Sequence, residues 1–173
     1  MKWNEIPKFI ATEHCYHVNT GIKGYVGWIS DEEREMNLQM NPDFQRGHVW
    51  NEEQQSLYIE YLLKGGQSGR AFYFNLPTYR DYDNKYKDYV CVDGLQRSTA
   101  IQRFINGKLK AFDQYYSDFG SGLVRTEFQI DIYINDLKTK NDVLTWYVQM
   151  NEGGTPHTKE EIERVKEMIL NLK

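Results

Sequence analysis

The chain is poor in cysteine and proline and has no long apolar run. Two cysteines in 173 residues, Cys15 and Cys91, cannot make a disulfide framework, and both read as reduced thiols. No apolar stretch approaches the roughly 18 to 20 residues that span a bilayer, so no membrane partner is expected. The opening residues, MKWNEIPKFIATEH, lack the apolar centre of a secretory signal, and the expected location is the cytoplasm. An excess of positive charge is missing too. The formal net charge is −4 and the isoelectric point about 5.6. Basic residues are scattered rather than blocked, which removes the simplest argument for duplex DNA without excluding nucleic acid. Repeats, low-complexity tracts and linkers are absent, so residues 1–173 read as one domain. No GxSxG, HExxH or paired-cysteine motif occurs. HCYH (14–17) has no second pair to complete a zinc site. KGGQSGR (64–70) lacks the Gly-Lys-Ser/Thr ending of a Walker loop.

Aromatic residues are plentiful at 14%, with 13 Tyr. Periodicity predicts an α+β chain with interleaved helices and short strands. In WNEEQQSLYIEYLLKGG, Asn51 and Gln54 form a capping-box pattern at the head of a helix. AFYFNL (71–76) and YVCV (89–92) read as strands of a hairpin with a long tip near Asp83-Asn84. QRSTAIQRFING reads as a helix with Ile101, Phe104 and Ile105 inward and Gly107 past its end. Phe128, Ile130, Ile132 and Ile134 alternate along a half-buried strand. NDVLTWYVQM (141–150) reads as a helix capped by Asn141. A last helix starts at Thr158, with Glu161 as its capping partner and Ile162, Val165, Ile169 and Leu172 as its apolar stripe.

Three polar constellations stand out. VCVDGLQRSTAIQRF (90–104) places an acid, a glycine, an amide, a guanidinium and two hydroxyls between a strand and a helix. A helix N-terminus carries unpaired N–H groups and a partial positive charge, both of which suit a phosphate. Gly94 permits close backbone approach. Arg97, expected at a pocket surface, clamps phosphate oxygens, while Ser98 and Thr99 add hydroxyls. Asp93 holds a metal ion or orients a water. The competing reading is a capped helix with a surface ion pair. NPDFQRGHVW (41–50) sets Gln45 and Arg46 between the aromatic anchors Phe44 and Trp50, as a binding loop or as a packed core loop with a snorkelling arginine. In YVQMNEGGTPHT (147–158), Asn151 either caps its helix or bonds a ligand. If all three loops serve one site, Arg46, Arg97 and Asn151 converge in one cleft.

Taken together and in this order, NPDFQRGHVWNEEQQ, VDGLQRSTAIQRFINGK and YVQMNEGGTPHTKEEI resemble the N-terminal domain of GmrS-type restriction proteins. That family is catalogued as domain of unknown function 262, within the ParB/sulfiredoxin-like group. Its central signature is Asp-Gly-Gln-Gln-Arg; here Leu95 replaces the first Gln of Asp93-Gly94-Leu95-Gln96-Arg97. The upstream Gln-Arg element matches Gln45-Arg46, and the aromatic-x-x-x-Asn element matches Tyr147 and Asn151. The resemblance implies a ParB/sulfiredoxin-like fold with a small mixed sheet and packed helices. Relatives usually carry a separate nuclease domain, and because no histidine-rich module follows Thr158 the chain is expected to be a stand-alone version.

What it further implies is a nucleotide-binding protein, a Mg²⁺-dependent NTPase acting in DNA restriction, modification or phage counter-defence. The setting is a prokaryotic or phage-infected cell. Its partners are a nucleoside triphosphate, DNA and a separate nuclease chain. The catalytic set is Asp93, Gln96 and Arg97, with Asp93 as metal ligand. The nucleotide-binding set is Gln45, Arg46, Gly94, Arg97, Ser98, Thr99 and Asn151. Three rivals stay open: a ParB-like DNA nuclease or nickase using the same pocket, a phosphotransferase, and a non-catalytic interaction module.

Overall fold

Ile130, Ile132 and Ile134 are all buried, at every second position of one strand. Phe72 and Phe74 of the neighbouring strand, and Cys91 of the next, join them in one apolar sheet face. The computed structural model describes residues 2, 5–11, 13–45, 47, 49–122, 128–152 and 159–172. Among these, the strands are β1 (Tyr16–Gly21), β2 (Ala71–Asn75), β3 (Val90–Asp93) and β4 (Gln129–Asn135). The α-helices are α1 (Ile22–Met36), α2 (Glu52–Leu63), α3 (Leu95–Ile105), α4 (Lys140–Glu152) and α5 (Lys159–Asn171). The sheet order is β1-β4-β2-β3. β1 pairs antiparallel with β4 and β2 with β3, whereas β2 and β4 run parallel. The fold is α+β, as expected.

Helices α1, α2 and α3 cover the apolar face through Tyr25, Ile29, Ile59, Leu62, Ile101 and Phe104. On the other face, Val90 and Val92 of β3 meet Val143, Leu144 and Trp146 of α4 and Ile162 and Val165 of α5. Strand β3 is thus apolar on both faces up to Asp93, which is why the run of residues 90–92, with no polar alternation, is stable there. Its outer edge is closed by Gln39, whose N–H donates to Tyr89 O at 2.9 Å and whose carbonyl accepts from Cys91 N at 3.0 Å.

The expected capping box of α2 is present: Asn51 Oδ1 accepts from Gln54 N at 2.8 Å, and Gln54 Oε1 accepts from Asn51 N at 2.9 Å. The expected cap of α4 is corrected. Thr139 caps it, its Oγ1 accepting from Asp142 N at 3.1 Å, and Asn141 lies inside the first turn. Thr158 lies outside the described residues. In α5, Ile162 and Val165 are buried, but Leu172 is exposed at the helix end.

The sequence reading assigns no element to residues 15–36, where β1 and α1 form. β1 is a mostly polar edge strand, and α1 carries two interior glycines, so neither shows a clean period. Gly24 earns its place by contact, since a Cβ there collides with Thr20 Oγ1.

The joint between β3 and α3 is equally tight. Gly94 has φ 121°, and a Cβ built on it stands 2.5 Å from Phe72 Cδ1. Backbone strain and overpacking add, so Gly94→Ala is expected to cost about 2 to 4 kcal/mol of stability by urea denaturation. A change under about 0.5 kcal/mol contradicts this packing. Both cysteines are free thiols. Burial, a 2.8 Å hydrogen bond to Asp136 Oδ1 and that carboxylate's charge push the Cys15 thiol up to about 11. Thiolate therefore forms only as pH approaches that value. At pH 8, iodoacetamide is expected to alkylate Cys15 on the order of a hundredfold more slowly than an ordinary thiol. Asp136→Ala should speed the reaction, and an equal rate in both proteins sinks this account.

Candidate functional site

Strand β3 delivers Asp93 to a turn that Gly94 alone makes possible, and α3 begins at once with Leu95. Among the described residues no side chain caps α3. The first helical bond runs from Ser98 N to Gly94 O at 2.8 Å. The amides of Leu95, Gln96 and Arg97 precede that bond and carry the positive end of an eleven-residue helix.

Arg97 lies one turn into α3 and folds back. Its Nη2 donates to Asp93 Oδ2 at 2.7 Å and its Nη1 to Ala71 O at 2.8 Å. The guanidinium carbon stands 5.0 Å from the centroid of the Phe72 ring. The side chain is only 18% exposed, against 35% for Asp93. The expected placement of Arg97 at a pocket surface is therefore corrected: the group is mostly inside, held between two strands. Burial works against its charge, but the Asp93 carboxylate and nearby Tyr58 hold its protonation above the ordinary range. Burial also pushes the Tyr58 phenol up, with Arg97 opposing. Tyr58 donates to Gly69 O at 2.7 Å and so fixes the loop that flanks the guanidinium.

Two glutamines fasten the 41–50 loop to this turn. Gln45 Nε2 donates to Cys91 O at 2.7 Å and lies 3.4 Å from Val92 O. Gln96 Oε1 accepts from Val49 N at 2.9 Å and Trp50 N at 3.1 Å, while its Nε2 donates to Gly47 O at 2.8 Å. The Gln96 amide thus holds the loop. Arg46 lies outside the described residues, so its convergence with Arg97 and Asn151 belongs with the expectations.

The hydroxyls expected to bind phosphate point elsewhere. Ser98 is fully buried and accepts from Gln102 Nε2 at 3.1 Å. Thr99 Oγ1 donates to Leu95 O at 2.9 Å and lines a cleft of about 300 Å³ with Gln102 and Arg103. Helical rotation past the first turn carries both away from the Gly94 amides. Leu95, which replaces the family's first glutamine, is itself buried. Asn151 stands in the last turn of α4, its Nδ2 donating to Tyr147 O at 2.7 Å. The Tyr147 ring meets Phe44 edge-on at 5.2 Å. The 41–50 loop accordingly touches both other motifs, through Gln45 and Gln96 on one side and Phe44 and Tyr147 on the other. Sequence reasoning misses Tyr58, Phe72 and the Ala71 carbonyl. The only available signal was Tyr58 at i,i+4 from Leu62, which reads as ordinary helix packing.

Among the described residues no group of three or more His, Cys, Asp or Glu side chains gathers. Asp93 offers one carboxylate, with one oxygen taken by Arg97. That donor set does not suit an ion caged by protein alone. It suits Mg²⁺ brought by phosphate oxygens, since this ion commonly needs only one or two protein carboxylates.

A family model described as the N-terminal domain of the GmrSD restriction endonuclease matches residues 27–129. No curated protein and no solved structure is significantly similar to the chain. The matched stretch holds Gln45, Arg46 and the whole Asp93–Arg97 turn, whereas Asn151 lies beyond it. It also takes in more than half of the 173 residues. The chain therefore belongs to the GmrSD restriction endonuclease N-terminal domain family, which ties it to restriction endonuclease systems.

Proposed function

We propose that this chain binds and hydrolyses a nucleoside triphosphate at the β3–α3 turn, in the service of DNA restriction, modification or phage counter-defence. One observation carries the reading: a bare helix N-terminus lies directly behind Gly94, beside a carboxylate whose orientation is fixed by Arg97. In this reading the amides of Leu95, Gln96 and Arg97 donate to phosphate oxygens. The Asp93 oxygen not bonded to Arg97 orients the attacking water or ligates Mg²⁺ brought with the nucleotide. Bound there, Mg²⁺ supplies neutralisation of phosphate charge. Arg97 acts chiefly by positioning Asp93. Gln45 and Gln96 hold the loop that carries Arg46, the proposed second cation for phosphate. Asn151 approaches from the α4 side. The partners are DNA and a separate nuclease chain, the setting is cytoplasmic, and the sheet is of the ParB/sulfiredoxin-like type.

A second reading is a binding module without turnover. The Asp93–Arg97 pairing favours it, because a carboxylate tied to a guanidinium also makes a purely structural joint. Titration calorimetry with ATP, GTP, CTP and UTP, with and without Mg²⁺, together with phosphate release, separates the two. Binding with release supports the NTPase, binding alone supports the module, and no binding removes both.

Asp93→Asn is expected to keep triphosphate affinity and to lower phosphate release on the order of a hundredfold. Unchanged release assigns Asp93 to structure alone. Gln96→Leu removes three hydrogen bonds to the 47–50 backbone. Tryptic cleavage after Arg46 is therefore expected to quicken about tenfold, with global stability reduced by about 1 to 3 kcal/mol. An unaltered cleavage rate contradicts the role of Gln96 as a loop clamp.

A further inference from the structure

A second cavity opens at the end of α2 and shares none of its described lining residues with the Asp93 turn. It holds about 440 Å³ and is walled by Leu62, Leu63, Phe112, Phe119 and Phe128, with Arg70 as the one charged residue of the described lining. This is the size of a small-molecule pocket. Arg70 is unusual in two respects. Its Nε is buried without a partner, and its guanidinium makes no ion pair or hydrogen bond to any described residue. It lies over the Phe128 ring, 5.3 Å from the centroid. The backbone is nevertheless fixed, since Arg70 O accepts from Asp131 N at 3.0 Å. The Asp131 carboxylate acts on Arg70 only through space, with no ion pair among the described residues, so a guanidinium with a bare buried Nε facing apolar walls gains from an anion seated beside it.

An independent feature borders the same cavity. Residues 111–114 form a two-residue hairpin turn, with Ala111 N bonded to Gln114 O at 2.9 Å and Gln114 N to Ala111 O at 3.0 Å. Its central residues, Phe112 and Asp113, have φ of 51° and 60°. Such turns usually carry Asn-Gly, and a phenylalanine in the left-handed region is strained. The strain is held in place: Phe112 N donates to Glu60 Oε1 at 2.8 Å, and Lys64 Nζ stands 5.1 Å from the centroid of the Phe112 ring. The residue is still 44% exposed, so burial alone does not explain keeping it there. Strain of this kind gathers where a side chain must be presented to a ligand.

We infer that this cavity binds a small amphiphilic organic anion. Its flat apolar body lies among Phe112, Phe119 and Phe128, and its carboxylate, phosphate or sulfonate meets Arg70. The site is separate from the proposed nucleotide turn and does not depend on it.

Equilibrium dialysis with 2-naphthoate, neutral 2-naphthylmethanol and inorganic phosphate tests the assignment. The wild-type chain should bind the acid about tenfold or more tighter than the alcohol, as a charge-assisted contact requires. Inorganic phosphate alone should compete poorly. Arg70→Met should abolish the preference for the acid while keeping the weak binding of the alcohol, which shows that the pocket is still folded. Phe112→Gly relieves the strained turn, so it should leave the protein at least as stable while weakening naphthoate binding several-fold. No binding, equal binding of acid and alcohol to the wild type, a preference that survives Arg70→Met, or full affinity in Phe112→Gly each overturns the proposal.

Discussion

The guanidinium of Arg97 joins the end of β3 to the start of β2 by bonding Asp93 and the Ala71 carbonyl together while it lies over Phe72. Each contact constrains the next. Phe72 leaves no room for a side chain at residue 94, so the turn must be glycine. Because the turn is glycine, α3 starts immediately and returns Arg97 to the strand end one turn later. Asp93 is about a third exposed, so solvent screens the pair, and losing one partner costs about 1 to 3 kcal/mol, less than for a fully buried pair. The pair thus acts as a geometric constraint. It holds one Asp93 oxygen and leaves the other without a hydrogen bond to any described residue.

The glutamines complete this arrangement without adding charge. A primary amide both donates and accepts, so it can satisfy backbone carbonyls and N–H groups in a loop that has no strand partner. Gln45 reaches the carbonyls of β3, and Gln96 reaches three backbone groups of residues 47–50. Residues that look chemical in the sequence turn out to carry much of the loop geometry. In the proposed function the chemistry then rests on fewer groups: one carboxylate oxygen, the helix amides and the cations proposed to approach them.

Legibility in the sequence followed how local each signal was. The Asn51–Gln54 cap and the isoleucine alternation of β4 depend on residues within a few positions, and both form as read. The start of α4 shifted because Thr139 competes with Asn141 for the same role, and a hydroxyl three residues before Asp142 makes the better box. β1 and α1 were hidden because an edge strand need not alternate and because Gly24 answers to a distant packing contact. The site divided in the same way. Gly94 and Asp93 were readable from the strand–turn–helix pattern. Ser98 was misplaced because its position on the helix circumference depends on where α3 begins. The inward course of Arg97 depends on Ala71 and Phe72, more than twenty residues away, which no local pattern reports.

The central claim is that the bare start of α3 is a phosphate site. Its most direct test is amide chemical-shift mapping of the isotope-labelled chain during titration with a nucleoside triphosphate and Mg²⁺. The account predicts that the largest backbone shifts fall on Gly94, Leu95, Gln96 and Arg97, with the Arg97 side-chain N–H signals moving alongside them. Saturable binding that leaves those amides in place while other residues move would contradict it.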